Sequence, residues 1–215
     1  MPLQLNGNQI RAVIFDFGEV LSYPPPQEMI AAISGLLHVT PDKFREYYYA
    51  ERQRYDRGEL TAEQYWRAVA RDAGTRLTAE NIEWLRRTDV AMWSKVNPQM
   101  LEWAAQLRSQ GMQTAVLSNM HADMAQAVRA KFAWIRDFKC FVLSAEVGYA
   151  KPEPQIYQHC LDCLDVPAGE GLFIDDKARN TSAAEQLGMA AICANSPERI
   201  REQLQEAGWN GPLPE

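Results

Sequence analysis

The sequence predicts an α/β fold: a three-layer, Rossmann-like core with a parallel sheet, plus a small all-helical cap inserted after the first strand. Three observations lead there. Short apolar runs recur along the chain, helical segments separate them, and one long early stretch holds several helices but no convincing strand.

The first run is RAVIFDF at 11–17, rich in strand formers and ending in an acid. Similar runs recur at Gln113–Leu117, Cys140–Leu143, Leu172–Ile174 and Ala190–Ala194. Each is continuous rather than alternating, as expected of strands covered on both faces. Asn97 followed by Pro98 starts a helix, with Asn as cap and Pro at the first position, and Gly111 ends it. Ser196-Pro197 opens the last helix in the same way. Between about Gln27 and Trp93 the rhythm changes. Thr40-Pro41, Thr61 with Gln64, and Thr78 each cap a helix, and Asp56-Arg57-Gly58-Glu59 is a turn. Tyr23-Pro24-Pro25-Pro26 reads as a stiff connection into this module. The expected division is 1–21 and 96–215 for the core and 22–95 for the cap.

The 215 residues suffice for one domain or a core with a smaller appended module. Hydrophobic residues at 47% and charged residues at 23% are those of a folded globular protein. A net charge of -6 argues against general affinity for nucleic acid or anionic membrane, while leaving room for a local basic pocket. No stretch approaches the ~20 apolar residues that cross a bilayer. The opening MPLQLNGNQIRAVIF lacks the basic segment and long apolar run of a signal peptide. The four cysteines, Cys140, Cys160, Cys163 and Cys193, read as buried free thiols rather than a disulfide framework. A cytoplasmic protein is expected; oligomeric state is not readable.

In open parallel sheets, ligands bind beyond the carboxyl ends of the strands. Asp16 ends the first run, Ser118-Asn119 follow the second, Lys151 follows the third by a short loop, and Asp175-Asp176 end the fourth. Each has an ordinary reading alone. Asp16 would be a turn or cap residue, Ser118-Asn119 an N-cap pair, and Lys151, before Pro152, a solvated loop residue. Asp175-Asp176 would cap the helix from Lys177 to Leu187. Their joint occurrence, in order at successive strand ends, outweighs those readings.

FDFGEVL, VLSN, AKPEPQIY and FIDD resemble the four ordered motifs of haloacid dehalogenase-like hydrolases, and the helical insert resembles that family's small cap. The resemblance spans residues 11–195 and implies a magnesium-dependent phosphatase acting on a small phosphorylated metabolite. Asp16 would be the nucleophile, giving an aspartyl-phosphate that water hydrolyses. Mg²⁺ would be held by the Asp16 carboxylate, the Gly18 carbonyl and Asp176, with Asp175 bound directly or through water. The chemistry suits these residue types, because a carboxylate attacking a phosphate dianion meets like-charge repulsion that a cation offsets. Adjacent acids at one strand end also gain from a cation between them. Lys151 would neutralise nucleophile and phosphoryl group, while Ser118 and the backbone N–H groups that follow it, from Asn119 on, would bind phosphoryl oxygens.

One position departs from the pattern. Phosphatases of this family usually carry a second Asp two residues after the nucleophile as general acid/base, and here it is Gly18. A branch resembling the bacterial sugar-phosphate (glucose-1-phosphate) phosphatases also has Gly there, and YDRGELTAEQYW is similar to that branch's cap. Glu19 is the nearest acid to the missing role. Two alternatives remain: a 2-haloacid dehalogenase-type hydrolase without metal, and a catalytically weak phosphosugar or protein binding module. Cys160-x-x-Cys163 beside His159 reads as helix packing rather than half a metal or redox site, and His121 as a helix-start residue. Tyr47-Tyr48-Tyr49, Trp66, Trp84 and Trp93 mark cap packing or a substrate pocket, and Arg52 and Arg54 are candidates for anion contact.

Overall fold

The computed structural model describes residues 2–214. It opens with an antiparallel hairpin, β1 (Gln4–Leu5) and β2 (Asn8–Gln9), turned by Asn6 and Gly7, both at positive φ. Two-residue strands leave no periodicity to read, so sequence analysis did not anticipate them.

The remaining strands form one parallel sheet. They are β3 (Ala12–Phe15), β4 (Gln113–Ser118), β5 (Cys140–Leu143), β6 (Gly171–Asp175) and β7 (Ala190–Cys193), in the order β5-β4-β3-β6-β7. Their continuous apolar character has a direct cause. Val13 and Phe15 point to one helical layer with Val116, Leu172 and Ile174, whereas Ala12 and Ile14 point to the other with Ala115, Leu117 and Phe173. Phe15 pairs in register with Val116 on one side and Ile174 on the other. The residues just past these three strands therefore emerge at one edge.

Five helices follow β3 before the chain returns to the sheet: α1 (Gln27–Leu37), α2 (Pro41–Ala50), α3 (Arg52–Asp56), α4 (Ala62–Asp72) and α5 (Ala79–Met92). Thr40 caps α2, and Thr61–Gln64 and Thr78–Asn81 form reciprocal capping boxes on α4 and α5. Their apolar faces meet in a separate core around Ile33, Leu37, Phe44, Tyr65, Trp66 and Leu85. Where the chain leaves and re-enters the sheet, Tyr23 N–H donates to the Lys95 carbonyl and Asn97 N–H to the Leu21 carbonyl, both at 2.8 Å.

The remaining helices cover the sheet. One layer holds α6 (Pro98–Ser109), α7 (Ala122–Lys131) and, at the end, α11 (Pro197–Glu206); the other holds α9 (Pro154–Leu164) and α10 (Ala178–Gln186). The short α8 (Ser144–Val147) follows β5 directly. Ser118-Asn119 do not cap α7. His121 does, its Nδ1 accepting from Met124 N–H at 3.4 Å.

The expectation for the cysteines is overturned in part. Cys140 and Cys163 are joined in a disulfide between β5 and α9, while Cys160 and Cys193 are free. Cys160 packs inward as its helical spacing requires, but Cys163 lies on the flank of α9, next to the sheet-edge strand β5. A pairing across 23 residues leaves no local signal. Cysteine usage thus no longer argues for a reducing compartment. No helix among the described residues is long and apolar enough to cross a membrane.

With that separation of 23 residues, Cys140→Ser is expected to cost about 3 kcal/mol of stability. The measurement is the urea midpoint with and without reductant. Identical midpoints for oxidised wild type and variant would show that the bond contributes nothing.

Candidate active site

Asp16 is the first residue beyond β3. It starts a tight turn, Phe17–Leu21, closed by Ser22 N–H donating to the Phe17 carbonyl at 2.8 Å. Asp16 Oδ1 accepts from Phe17 N–H at 2.6 Å, so the turn fixes the carboxylate. Lys151 arrives from the loop after α8. Its backbone is held by the Asn119 side chain, whose Oδ1 accepts from Lys151 N–H at 2.7 Å and whose Nδ2 donates to the Lys151 carbonyl at 2.9 Å. Both polar atoms of Asn119 are thereby engaged, so this side chain positions Lys151 instead of reaching outward. Ser118, at the end of β4, is buried.

The Lys151 ammonium is 1% exposed and lies 2.9 Å from Asp16 Oδ1 and 2.6 Å from Asp175 Oδ2. Burial disfavours its charge, but the two carboxylates outweigh that and raise its pKa. The acids fare differently. Burial works against ionising Asp175 too, yet Lys151, the Lys177 N–H and Asn180 Nδ2 together hold its pKa below the usual range. For Asp16, burial dominates; Lys151 lowers the pKa and Asp175 raises it, and the balance pushes it up to about 6. One cation is shared between two carboxylates, and the better hydrogen-bonded one keeps its charge more easily.

Asp16, Asp175 and Asp176 each offer an oxygen, all within 4.8 Å of one another. Among the described residues Asp176 Oδ1 is buried with no hydrogen-bond partner, and burial raises the Asp176 pKa, with Lys177 opposing. A divalent cation answers both features, and an all-oxygen donor set suits Mg²⁺. Gly18, at φ -66 and ψ 129, holds no strained conformation, and a Cβ there would meet the Trp93 ring at an ordinary 3.5 Å.

Asp16, Gly18, Ser118, Asn119 and Lys151 line a cavity of about 400 Å³, with Tyr49, Arg52, Gln53, Asp56 and Trp93 forming the helical side of its wall. Arg52 reaches the wall, but its guanidinium is tied to Asp56 at 2.8 Å, to Asp89 at 3.3 Å and to the Tyr48 hydroxyl. Arg54 lies on the surface, paired with Glu51 and Glu59, and does not contribute. Glu19, at φ +60, lines a neighbouring hollow with Pro24, Pro25 and Tyr49 and not the cavity that holds Asp16. Tyr49 is 51% exposed while Trp66 is buried, so the aromatics divide between pocket and packing.

Three features escaped sequence analysis. Asn180 donates to both oxygens of Asp175, at 2.9 and 3.0 Å; its spacing of one helical turn after Asp175 was the available signal. His121, just past the Ser118-Asn119 loop, places Nε2 3.2 Å from Asp89 Oδ2 on α5 and stacks on Tyr55 with ring centroids 4.3 Å apart. Lys177 and Arg179 also line the cavity. No pattern in the chain links α3, α5 and the β4 loop.

A family profile described as haloacid dehalogenase-like hydrolase matches residues 10–188. Mouse acyl-CoA dehydrogenase family member 10 is 29% identical over 93% of the chain, and pig bifunctional epoxide hydrolase 2 is 30% identical over 92%. The chain spans only 19% and 38% of the lengths of those two proteins. D-ribitol-5-phosphate phosphatase of Bacteroides thetaiotaomicron is 24% identical over 91% of the chain and 97% of its own length. Among solved structures, a magnesium complex of the HAD family enzyme bt-2542, from the same bacterium, superimposes with a TM-score of 0.70. It is 20% identical, covers 86% of this chain and 93% of its own, and supports the fold.

Adding Mg²⁺ at about 100 times its dissociation constant should stabilise the protein by about 2.7 kcal/mol. In a chain of this size that raises Tm by about 5–10 °C. Asp176→Asn should remove most of the shift. Because Asp16 in the metal-free protein takes up a proton near pH 6, the Mg²⁺ shift should shrink as pH falls from about 7.5 to about 5. A shift independent of pH and of Asp176 would show that the ion binds elsewhere.

Proposed function

The chain belongs to the haloacid dehalogenase-like hydrolase family, and we propose that it is a magnesium-dependent phosphatase of a small, sugar-like phosphomonoester, working through an aspartyl-phosphate on Asp16. The observation that carries this reading is the buried contact of Lys151 with Asp16 and Asp175, beside the oxygen cluster those acids form with Asp176.

Asp16 Oδ1 is occupied by Phe17 N–H and Lys151, which leaves Oδ2 to attack phosphorus. The bond to the leaving oxygen breaks and that oxygen takes up a proton. Water then attacks the acyl phosphate, releasing inorganic phosphate and restoring the carboxylate. Lys151 stabilises the ionised nucleophile and the charge on the transferring group. Ser118 and the backbone N–H groups after it, beginning at Asn119, donate to the phosphoryl oxygens. Asn119 serves by fixing Lys151 through its side chain. Bound Mg²⁺, held by Asp16, the Gly18 carbonyl and Asp176, with Asp175 directly or through water, would supply the charge neutralisation that lets a carboxylate approach a phosphate dianion.

The metal-free dehalogenase alternative leaves Asp176 no metal to hold, and the orphaned Asp176 Oδ1 counts against it. Residues 22–95 act in this reading as a cap on the core of 1–21 and 96–215, excluding water and selecting substrate. The relative named for D-ribitol 5-phosphate supports a sugar-like substrate. A small phosphorylated metabolite in the cytoplasm, with neither nucleic acid nor membrane as partner, completes the proposal.

Gly18 leaves the departing oxygen without the usual acid. Among the described residues, the only carboxylates lining the cavity are Asp16 and Asp56, and Asp56 is held by Arg52 at 2.8 Å. Leaving groups that need no proton should therefore react best.

Asp16→Asn is expected to lower kcat at least ~10³-fold, and a chelator should abolish activity that Mg²⁺ restores. Turnover that survives chelation would argue for metal-free chemistry instead. Gly18→Asp should raise kcat for alkyl phosphates by ~10–100-fold, with less effect on p-nitrophenyl phosphate. Equal effects on both esters would mean that leaving-group protonation is not the missing step.

A further inference from the structure

Four cations line the cavity: Arg52, Lys151, Lys177 and Arg179. Two of them are matched within the protein. Arg52 is paired with Asp56 and Asp89, and Lys151 with Asp16 and Asp175. Lys177 reaches only Asp176, at 3.8 Å, and Asp176 is an acid that a metal would engage. Arg179 forms no ion pair among the described residues. Lys177 is the N-cap residue of α10, with no side-chain cap bond, and Arg179 lies in the first turn. The helix dipole is positive at that end, so neither cation is stabilised by its own helix.

We propose that Lys177 and Arg179 form a second anion subsite on the wall of the catalytic cavity, so that the preferred substrates are phosphomonoesters whose leaving group carries a further negative charge. The inference rests on the phosphatase reading above and narrows its substrate class. A cavity of about 400 Å³ is near the small end of ligand sites, so the second charge lies a few bonds from the scissile phosphate. Tyr49, Trp93, Met120 and Met124, which also line the cavity, would cover the carbon skeleton between the two anions. If the two cations merely screened the acids around Asp16, removing them would alter every substrate alike. A subsite acts on one kind of leaving group.

Two matched pairs test this in steady state: glycerol 3-phosphate against 3-phosphoglycerate, which adds a carboxylate, and fructose 6-phosphate against fructose 1,6-bisphosphate, which adds a phosphate. Losing charged hydrogen bonds of this kind changes affinity by ~10–100-fold. Wild-type kcat/KM should therefore favour the more anionic member of at least one pair about tenfold or more, through KM, and which pair responds identifies the anion. Lys177→Met/Arg179→Met should bring that ratio to within about twofold of one, and added salt should erode it. A wild-type ratio near one in both pairs, or a ratio unchanged in the double variant, overturns the subsite. The wild-type ratio decides alone should the double variant fail to fold. Hydrolysis of p-nitrophenyl phosphate, with Asp16→Asn as control, separates the two levels. Asp16-dependent turnover without charge preference sinks only the subsite, whereas no Asp16-dependent turnover of any ester sinks the phosphatase reading with it.

Discussion

The ammonium of Lys151 lies out of water between Asp16 and Asp175, and much of the cleft is arranged to keep that charge matched. An unpaired charge at such depth costs several kcal/mol, and the two carboxylates together offset that cost. Three strands converge to supply the partners: Asp16 follows β3, Asp175 ends β6, and Asn119, just after β4, grips the Lys151 backbone. Sharing one cation unequally explains why Asp175 stays ionised while Asp16 resists it. A carboxylate in that condition gains from any further positive charge nearby.

A second buried network ties the helical insert to the sheet. Tyr48 donates to Asp89 at 2.7 Å, Arg52 spans Asp56 and Asp89, and His121 meets Asp89 from the other side. Ser144 Oγ adds a link by donating to the Asp56 carbonyl at 2.5 Å while accepting from Met120 N–H at 2.8 Å. The far wall of the cavity is therefore fixed to the same loop that carries Ser118 and Asn119. Arg52 is part of this frame, which leaves charge recognition to the cations of the β6 loop.

How much of this was legible in the sequence differs by residue. The five sheet strands were, because both faces of each are covered and the apolar runs show it. Thr40, Thr61, Thr78 and Asn97 announced their helices, since capping is a local interaction. The meeting of Asp16, Lys151, Asp175 and Asp176 followed from their places at strand ends in a parallel sheet. What stayed hidden depends on side-chain direction or distant pairing. Asn119 turns to a backbone 32 residues away, Asp89 on α5 finds His121 in the loop after β4, and Cys140 finds Cys163. Glu19 shows the limit of reasoning by proximity: three residues from Asp16, it lines a different hollow because the turn carries it there at positive φ.

The position of β3 bears on how the protein comes into being. The first long strand of the chain sits in the middle of the sheet, so its two neighbours arrive late: Ala12 pairs with Gln113 on one side and with Gly171 on the other. Contacts that bridge such spans must close large loops before they are rewarded, which slows assembly. On a ribosome, the earliest-made acid of the cleft would wait, with one flank of its strand uncovered, until the chain through β6 had emerged.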